Sequence, residues 1–293
     1  MVTGANGFVG TYLTKDLSSK KAGEVLSFPF DLREKEKIQS FFQITKPDLV
    51  YHLAAQPFIP IAIENPWETQ EINVTGTLTI LESLHRNLKP CKMLYVSSAD
   101  VYGRQTEENL PLKEELNPEP LNPYSGSKLA AESYCRQYSN YSRYLDVVVV
   151  RPFNHTGAGQ RREFVIPNFC HQIKESHFEG SKKIKVGDLT PTRDFLHVKD
   201  VIRGYQILME KGEPGQVYNI SSGIETSIEQ IIRILLEISG HNMQIEVDSE
   251  RVRPSETPRL FGNSEKIQKL GWTQVMNLRS TLEDVYHWVA ATK

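Results

Sequence analysis

The chain has 293 residues, with 34 Lys and Arg against 36 Asp and Glu and a formal charge of −2, a balance that gives no global argument for binding nucleic acid or an anionic membrane. No apolar run is long enough to span a bilayer, and Cys91, Cys135 and Cys170, an odd and widely spaced set, suit free thiols in a reducing cytoplasm. The length is ample for a sizeable core in one large domain or two closely joined ones.

In chain order, Met1-Val-Thr-Gly-Ala-Asn-Gly-Phe-Val-Gly10 predicts a strand end, a tight turn and a helix start. Gly4 and Gly7 let the chain turn and its backbone approach a pyrophosphate, and Gly10 lets the helix pack closely on the strand. The helix N-terminus adds N–H donors and a positive dipole end. No signal peptide is expected, since the chain runs directly into Thr3-Gly4. An interior parallel strand of about five residues is cut short here, which suggests a natural start further upstream.

Glu24 to Leu32 predicts a short strand running into a helix over Glu34 to Ile44. Pro47 to Ala55 predicts a buried strand ending in small residues, against which a flat ring can lie. A helix is expected over residues 67–87, strands at Lys92 to Ser98 and Leu145 to Val150, and between them a helix carrying Tyr124 and Lys128. Strand and helix in alternation mean an α/β fold, a Rossmann-like doubly wound parallel sheet. After Asn154 the texture becomes shorter-segmented, with Gly157, Gly159, Gly180 and Gly187. A helix within Asp194 to Met209 and a strand at Gln216 to Ile220 return to the sheet, and helices are expected at Ile228 to Ile238 and Leu282 to Val289. This divides the chain into a dinucleotide-binding domain over 1–153, with 196–221 returning to it, and a smaller, discontinuous C-terminal lobe, mainly 154–293, for substrate.

Tyr124-Ser-Gly-Ser-Lys128 places a phenol and an ammonium one helical turn apart on one face. A lysine beside the phenol favours phenolate, which makes tyrosine a usable proton donor and acceptor. The pair alone is also what any helical surface could show; its weight comes from the glycine turn and from Ser97-Ser98 at a strand end. No metal-ligating cluster is expected.

Seven motifs follow one another in order: Thr3-Gly-x-x-Gly-Phe-Val-Gly10, Asp31-Leu32, His52-Leu-Ala-Ala55, Asn73-Val-x-Gly-Thr77, Ser97-Ser98 with Val101-Tyr-Gly103, Tyr124-x-x-x-Lys128 and Arg151-Pro-x-Asn154. Over essentially its whole length the chain resembles the extended short-chain dehydrogenase/reductases that act on nucleotide sugars, the NAD-dependent epimerase/dehydratase family. Arg151-Pro-Phe-Asn-His-Thr-Gly157, Lys185-Val-Gly-Asp-Leu189, Arg193-Asp-Phe195 and Arg253-Pro-Ser-Glu256 most resemble its GDP-mannose branch, and within it the reductases of GDP-4-keto-6-deoxy sugars.

The resemblance implies that Ser98 hydrogen-bonds the reacting sugar oxygen, that Tyr124 is the acid/base at the sugar C4 oxygen, and that Lys128 grips the nicotinamide ribose. It implies a cofactor site made of Gly4, Gly7, Phe8, Val9, Gly10, Asp31, Leu32, Leu53, Ala54, Ala55, Ser97, Tyr124, Lys128, Pro152 and Phe153, with Asp31 at the adenine and Pro152 and Phe153 near the nicotinamide. Asn154, Arg193 and Arg253 are implied to hold the sugar diphosphate, with Glu256 on the nucleoside ribose. Two arginines neutralise a pyrophosphate well by forked, charge-assisted hydrogen bonds. Val186 and Asp188 fall near the base. A carboxylate suits guanine's adjacent N1–H and N2–H donors and opposes the flanking carbonyls of a pyrimidine; Asp188 capping a local turn is the alternative. The helices carrying Asn73 to Asn87 and Tyr124 to Ser139 resemble those that build an intersubunit four-helix bundle, which implies a homodimer; ordinary packing against the sheet would use the same apolar faces.

Two departures bear on function. The acidic residue that usually reads the adenosine 2′-hydroxyl has no counterpart, and Arg33 stands where it could meet a 2′-phosphate, which tilts the expectation from NAD to NADP. Where many sugar 4,6-dehydratases carry Thr-Asp-Glu, this chain has Ser98-Ala99-Asp100; Ala99 offers no acid or base for removing water across C5–C6. The expectation is therefore NAD(P)H-dependent reduction of a GDP-4-keto-6-deoxyhexose in the cytoplasm, without nucleic acid or membrane as partner. The rivals are a GDP-mannose 4,6-dehydratase or nucleotide-sugar 4-epimerase, and a non-catalytic binding protein of the same fold, which an intact Ser98, Tyr124 and Lys128 argue against.

Overall fold

A computed structural model describes residues 1–20, 23–248 and 257–292. Arg253 and Glu256 lie outside the described residues.

The run Val147-Val148-Val149-Val150, with no exposed surface on any of the four, marks a strand covered on both faces, as parallel sheets require. It belongs to Leu145–Pro152, in a five-stranded parallel sheet ordered Val2–Thr3, Leu49–His52, Cys91–Val96, Leu145–Pro152, Val217–Ile220. Strand alternation sends Val148 and Val150 into a core with Leu94, Leu13, Val201 and Tyr205, beneath the helices Phe8–Ser19 and Val198–Lys211. Val147 and Val149 enter the opposite core with Ile38, Phe42, Ile80, Leu81 and Cys135, beneath Lys35–Thr45, Gly76–Arg86 and Pro123–Tyr141.

Three elements differ from the sequence expectation. The strand expected within Glu24 to Leu32 is a single parallel bridge, Val2 to Ser27. Pro29 has no N–H to extend a ladder, and Phe28 and Phe30 instead join an aromatic cluster with Phe41 and Phe42. The expected helix over 67–87 is Pro66–Gln70, a wide π turn at Glu71–Thr75, then Gly76–Arg86. The expected helix over Asp194 to Met209 begins only at Val198, after a strand Phe195–His197 that pairs with Asn154–Thr156.

Val2 pairs with Tyr51 on one side and bridges Ser27 on the other, so the chain leaves the first strand in one direction and returns on its far side. That reversal opens a crevice above the carboxyl ends of the strands, the usual ligand position in such sheets. The helices Val165–Phe178, Ile228–Ser239 and Leu278–Ala291 enclose a separate core of Ile173, Ile231, Ile232, Leu235, Leu282 and Val289. Ile267 and Trp272, late in the chain, pack into the first core with Tyr205 and Ile220.

Candidate active site

The glycine loop sits at the crevice. Gly4 has a φ of +68°, and a Cβ there would lie 2.9 Å from the Ala54 nitrogen. A Cβ on Gly10 would lie 2.1 Å from the Gly4 oxygen, so the helix can approach the turn only without a side chain. Gly7 caps the helix Phe8–Ser19 with no side-chain hydrogen bond, which leaves the first-turn N–H groups available to an anion. These features fit a dinucleotide pyrophosphate. Phe8 stacks on His155 and edge-on to Tyr12, whose hydroxyl donates to the Ala158 carbonyl at 2.8 Å. Leu53, Ala54 and Ala55 follow the strand Leu49–His52 directly and are half-buried.

A buried chain of hydrogen bonds fixes this loop to the rest of the site. The Ala54 N–H donates to Thr3 Oγ1 (3.1 Å), and Thr3 Oγ1 is 2.7 Å from His52 Nδ1. His52 Nε2 is 2.9 Å from Thr77 Oγ1, which donates to the Asn73 carbonyl at 2.7 Å. With the Thr77 proton already spent, His52 carries its proton on Nε2 and accepts from Thr3 on Nδ1. Burial, then the charge of Lys128, holds the His52 pKa down at about 3. The π turn directs Asn73 both to Gln56, accepting from its N–H at 2.8 Å, and to Ser127 Oγ, donating at 2.9 Å. Ser127 in turn donates to the Tyr124 carbonyl at 2.7 Å. Asn73 therefore joins the Ala54 side of the crevice to the helix bearing Tyr124.

That helix starts where it does because Asn122 and Ser125 form a reciprocal capping box, with Pro123 in the first turn. Tyr124 falls in the first turn and Lys128 one turn on, both buried. Lys128 Nζ donates to the Val96 carbonyl at 2.8 Å and lies 5.2 Å from the Tyr95 ring; burial draws its pKa down to about 8. Ser98 is just past the strand Cys91–Val96 and caps the short 3-10 turn Ala99–Tyr102. Its Oγ accepts from the Asp100 N–H at 3.1 Å and lies 3.2 Å from Asp100 Oδ2. Burial, followed by the Asp100 charge, raises the Tyr124 pKa above the ordinary value, against a smaller opposing pull from Ser98. The sequence pairing implied a phenol biased towards phenolate. The structure differs because desolvation and a nearby carboxylate both oppose a second negative charge there. Burial likewise raises Asp100, against the opposing pull of Arg193 and Ser98.

Behind these residues lies an ion pair that the motif reading did not single out. Arg151 donates from Nε to Glu132 Oε1 at 3.0 Å and from Nη2 to Glu132 Oε2 at 2.7 Å. Its guanidinium covers the Tyr102 ring at 4.7 Å, and Tyr102 donates to Asn219 Oδ1 at 2.8 Å. The signal was present in the sequence: Glu132 is one turn beyond Lys128 on a buried face, where a carboxylate needs a cation. Ser97 Oγ donates to Glu132 Oε1 at 2.5 Å, so its hydroxyl is spent on this network. Phe153, expected near the nicotinamide, packs with Ala99, Tyr102, Leu112 and Leu260, its ring covering Gly262; Pro152 ends the adjoining strand, also buried.

Among residues expected to hold substrate, the half-buried Arg193 pulls the Asp100 pKa down against burial, while burial lowers its own. Its Nη1 donates to the Thr192 carbonyl at 2.7 Å. Asn154 is exposed at the start of its strand. Val186 is buried in the C-terminal lobe core. Asp188 Oδ1 accepts from the Thr190 N–H at 2.9 Å and its hydroxyl at 2.7 Å, the local-turn role weighed as the alternative. Asp31 is paired with Arg33 through two bonds of 3.0 and 2.7 Å, and Arg33 also reaches Glu68 at 2.7 Å. Leu32 is buried, and a Cβ on Gly76 would come within 2.6 Å of its Cβ. Among the described residues no metal-ligating cluster occurs, and no helix is long and apolar enough to cross a membrane.

The family described as GDP-mannose 4,6 dehydratase matches residues 21–285. The chain is 38% identical over 290 residues to the GDP-6-deoxy-D-mannose reductase of Pseudomonas aeruginosa, covering 97% of this chain and 94% of that protein. It is 33% identical to the GDP-6-deoxy-D-talose 4-dehydrogenase of Aggregatibacter actinomycetemcomitans, covering 98% and 96%. Among solved structures it is similar to RMD from Pseudomonas aeruginosa complexed with NADPH, with a TM-score of 0.90, 37% identity and 99% and 98% of the two chains covered. The UDP-glucose 4-epimerase of Thermotoga maritima with UDP-glucose matches at a TM-score of 0.88, 25% identity and coverage of 98% and 97%.

Proposed function

The chain belongs to the GDP-mannose 4,6 dehydratase family, and within it we propose that this protein reduces the C4 ketone of a GDP-4-keto-6-deoxyhexose with a nicotinamide cofactor. The observation that carries this reading is the buried Tyr124 phenol, one helical turn from the buried Lys128 and kept protonated by burial, which equips the site with an acid for a developing alkoxide. The similarity to a GDP-6-deoxy-D-mannose reductase and a GDP-6-deoxy-D-talose 4-dehydrogenase supports the same direction.

When bound, the nicotinamide supplies the hydride. The protein's residues do the rest. The Gly4–Gly10 turn and the capless helix start would receive the pyrophosphate, Lys128 would hold the nicotinamide ribose, Ser98 would hold the sugar C4 oxygen, and Tyr124 would protonate it. Ala99, buried against Tyr102 and Phe153, has no group to act at C5 or C6, so the dehydratase reading has less to work with. Arg193 and Asn154, with Arg253 and Glu256, are the proposed sugar-nucleotide contacts, and Asp188 the proposed contact to guanine.

NADP(H) is the proposed form of the cofactor: Arg33, with 44% of its side chain exposed, can turn from Asp31 and Glu68 to a 2′-phosphate. The proposed division of labour keeps 1–153 and 196–221 for the cofactor and 154–293 mainly for the sugar nucleotide. We also propose a homodimer through the helices Gly76–Arg86 and Pro123–Tyr141. Their apolar faces are spent on the sheet, but Leu129, Ala130 and Ser133 stay only half-buried, and nothing lies within 4 Å of where a Gly126 Cβ would stand. Three free, buried thiols suit the proposed cytoplasmic location. The deciding experiment mixes the protein with GDP-4-keto-6-deoxymannose and NADPH and follows absorbance loss and product identity. Turnover of GDP-mannose without added reductant, the dehydratase behaviour, overturns the reading.

A further inference from the structure

Arg193 stands between Thr192 and Asp194, and both neighbours are tied to the same loop, residues 222–225. Asp194 has no exposed surface. Its Oδ1 accepts from the Ser222 N–H at 2.8 Å and from the Ser222 hydroxyl at 2.6 Å. Its Oδ2 accepts from the Gly223 N–H at 2.9 Å and from the Gly262 N–H at 3.3 Å. On the other side of Arg193, Thr192 Oγ1 donates to Glu225 Oε1 at 2.5 Å, and Arg259 grips Glu225 through two bonds of 2.7 Å. The Arg193 strand is the central one of a small sheet, between Thr226–Ser227 and Arg259–Leu260. Residues paired across neighbouring strands point to the same face. Arg193 pairs with Leu260, whose side chain packs with Ala99, Tyr102 and Phe153, so Arg193 takes the face towards the turn Ala99–Tyr102. Gly262 lies under the Phe153 ring, where a Cβ would stand 2.3 Å from Phe153 Cζ.

Resting on the reductase reading, we propose that Asp194 is a positioning residue: its carboxylate ties the Arg193 strand to the loops beyond the main sheet and so holds the Arg193 guanidinium where the diphosphate of the sugar nucleotide arrives. A strand of two residues has too short a ladder to fix its own register, and a long arginine side chain loses much rotamer freedom when it is held. A buried carboxylate supplies what the ladder lacks. Out of water it must be met by donors, and here they come from residues 222–223 and from Gly262. The charge is satisfied only when those segments and the Arg193 strand meet in register. Burial raises the Asp194 pKa, and the same donors pull it back. Asp194 acts through Arg193 on affinity for the diphosphate, while the proton and hydride steps are left to Tyr124, Ser98 and the cofactor.

The test combines Asp194→Asn, Arg193→Ala and the double variant. Asparagine keeps the shape but turns an NH2 group towards donors that now meet an acceptor. The expected result in Asp194→Asn is GDP binding about tenfold weaker by calorimetry, the loss of a charge-assisted bond. KM for the sugar nucleotide should rise in proportion, with kcat within about twofold of the parent and NADPH binding unchanged. In the Arg193→Ala background, Asp194→Asn should weaken GDP binding no further. Parent-like GDP binding, equal losses for GDP and NADPH, or additive losses in the double variant would each mean that Asp194 only supports the fold, and the proposal would fall. Should Asp194→Asn fail to fold, Ser222→Ala removes only the 2.6 Å bond and should weaken GDP binding in the same Arg193-dependent way; an equal loss with and without Arg193 counts against the proposal. Phenylglyoxal labelling of Arg193, read by peptide mass spectrometry, needs no substrate. Faster labelling in Asp194→Asn, or in Ser222→Ala, supports the positioning role even where the parent binds no GDP, an outcome that sinks the reductase reading alone. Unchanged labelling overturns the positioning role.

Discussion

Arg151 and Glu132 form a two-point ion pair, at 3.0 and 2.7 Å, between the strand Leu145–Pro152 and the helix that carries Tyr124 and Lys128. The two side chains are 4% and 0% exposed, so each charge depends on the other. Glu132 also receives Ser97, the residue before Ser98. One carboxylate therefore sets the distance between the serine strand and the tyrosine helix.

Removing one partner leaves the other charge buried. Arg151→Met should cost about 3–5 kcal/mol of stability, and the double variant Arg151→Met with Glu132→Gln should recover much of it. Urea unfolding of the single and double variants measures the coupling. A single variant as stable as the parent would show that the pair contributes nothing.

Tyr124→Phe should lower kcat by about 10²–10⁴-fold, the range for a positioned acid, while GDP binding by calorimetry stays within about twofold of the parent. Lys128→Met should weaken NADPH binding as well as the rate. Near-normal turnover by Tyr124→Phe would remove the proposed acid from the mechanism.

Gly10→Ala places a methyl 2.1 Å from the Gly4 oxygen and 2.8 Å from Ala5 Cα, both backbone atoms that cannot rotate away. The turn must open. The expected outcome is a lower melting temperature together with loss of NADPH binding by fluorescence; unchanged binding would mean that the cradle adapts.

The folded-state pKa of His52, about 3, lies below its ordinary value of 6.5. Protonation therefore favours the unfolded chain: this contribution to stability is complete above about pH 6.5 and is lost as pH falls towards the folded value. His52→Gln removes that term. Urea midpoints measured from pH 7 to pH 4 should fall less steeply in the variant than in the parent. Parallel curves would place the acid sensitivity elsewhere.

Asp188 is held by Thr190 through one oxygen. If it also meets guanine, Asp188→Ala should weaken GDP binding tenfold or more, from the ~1.5–3 kcal/mol of a charge-assisted bond, and leave UDP binding nearly unchanged. Equal losses for the two nucleotides by calorimetric titration would make it a turn cap alone.

The sequence by itself determined the sheet class and the glycine turn and put forward the proposed catalytic residues, because each depends on local chemistry. Periodicity sets strand and helix, glycine spacing sets the turn, and four residues between Tyr124 and Lys128 set one helical face. Motif order and resemblance carried the family and the reductase direction. Tertiary structure alone decided what depends on distant residues meeting. The protonation of Tyr124 turns on burial and on Asp100, which no spacing reveals. Arg151 stood in a recognised motif, yet its partner Glu132 could be seen only when strand and helix packed. Phe153 and Val186 went into cores, and Ser97 to Glu132, because a side chain's direction at a strand end is set by what packs above it. Thr3, His52, Thr77 and Asn73 lay in quoted motifs as separate letters; only the fold joined them into a hydrogen-bonded chain from the glycine turn to the helix bearing Tyr124.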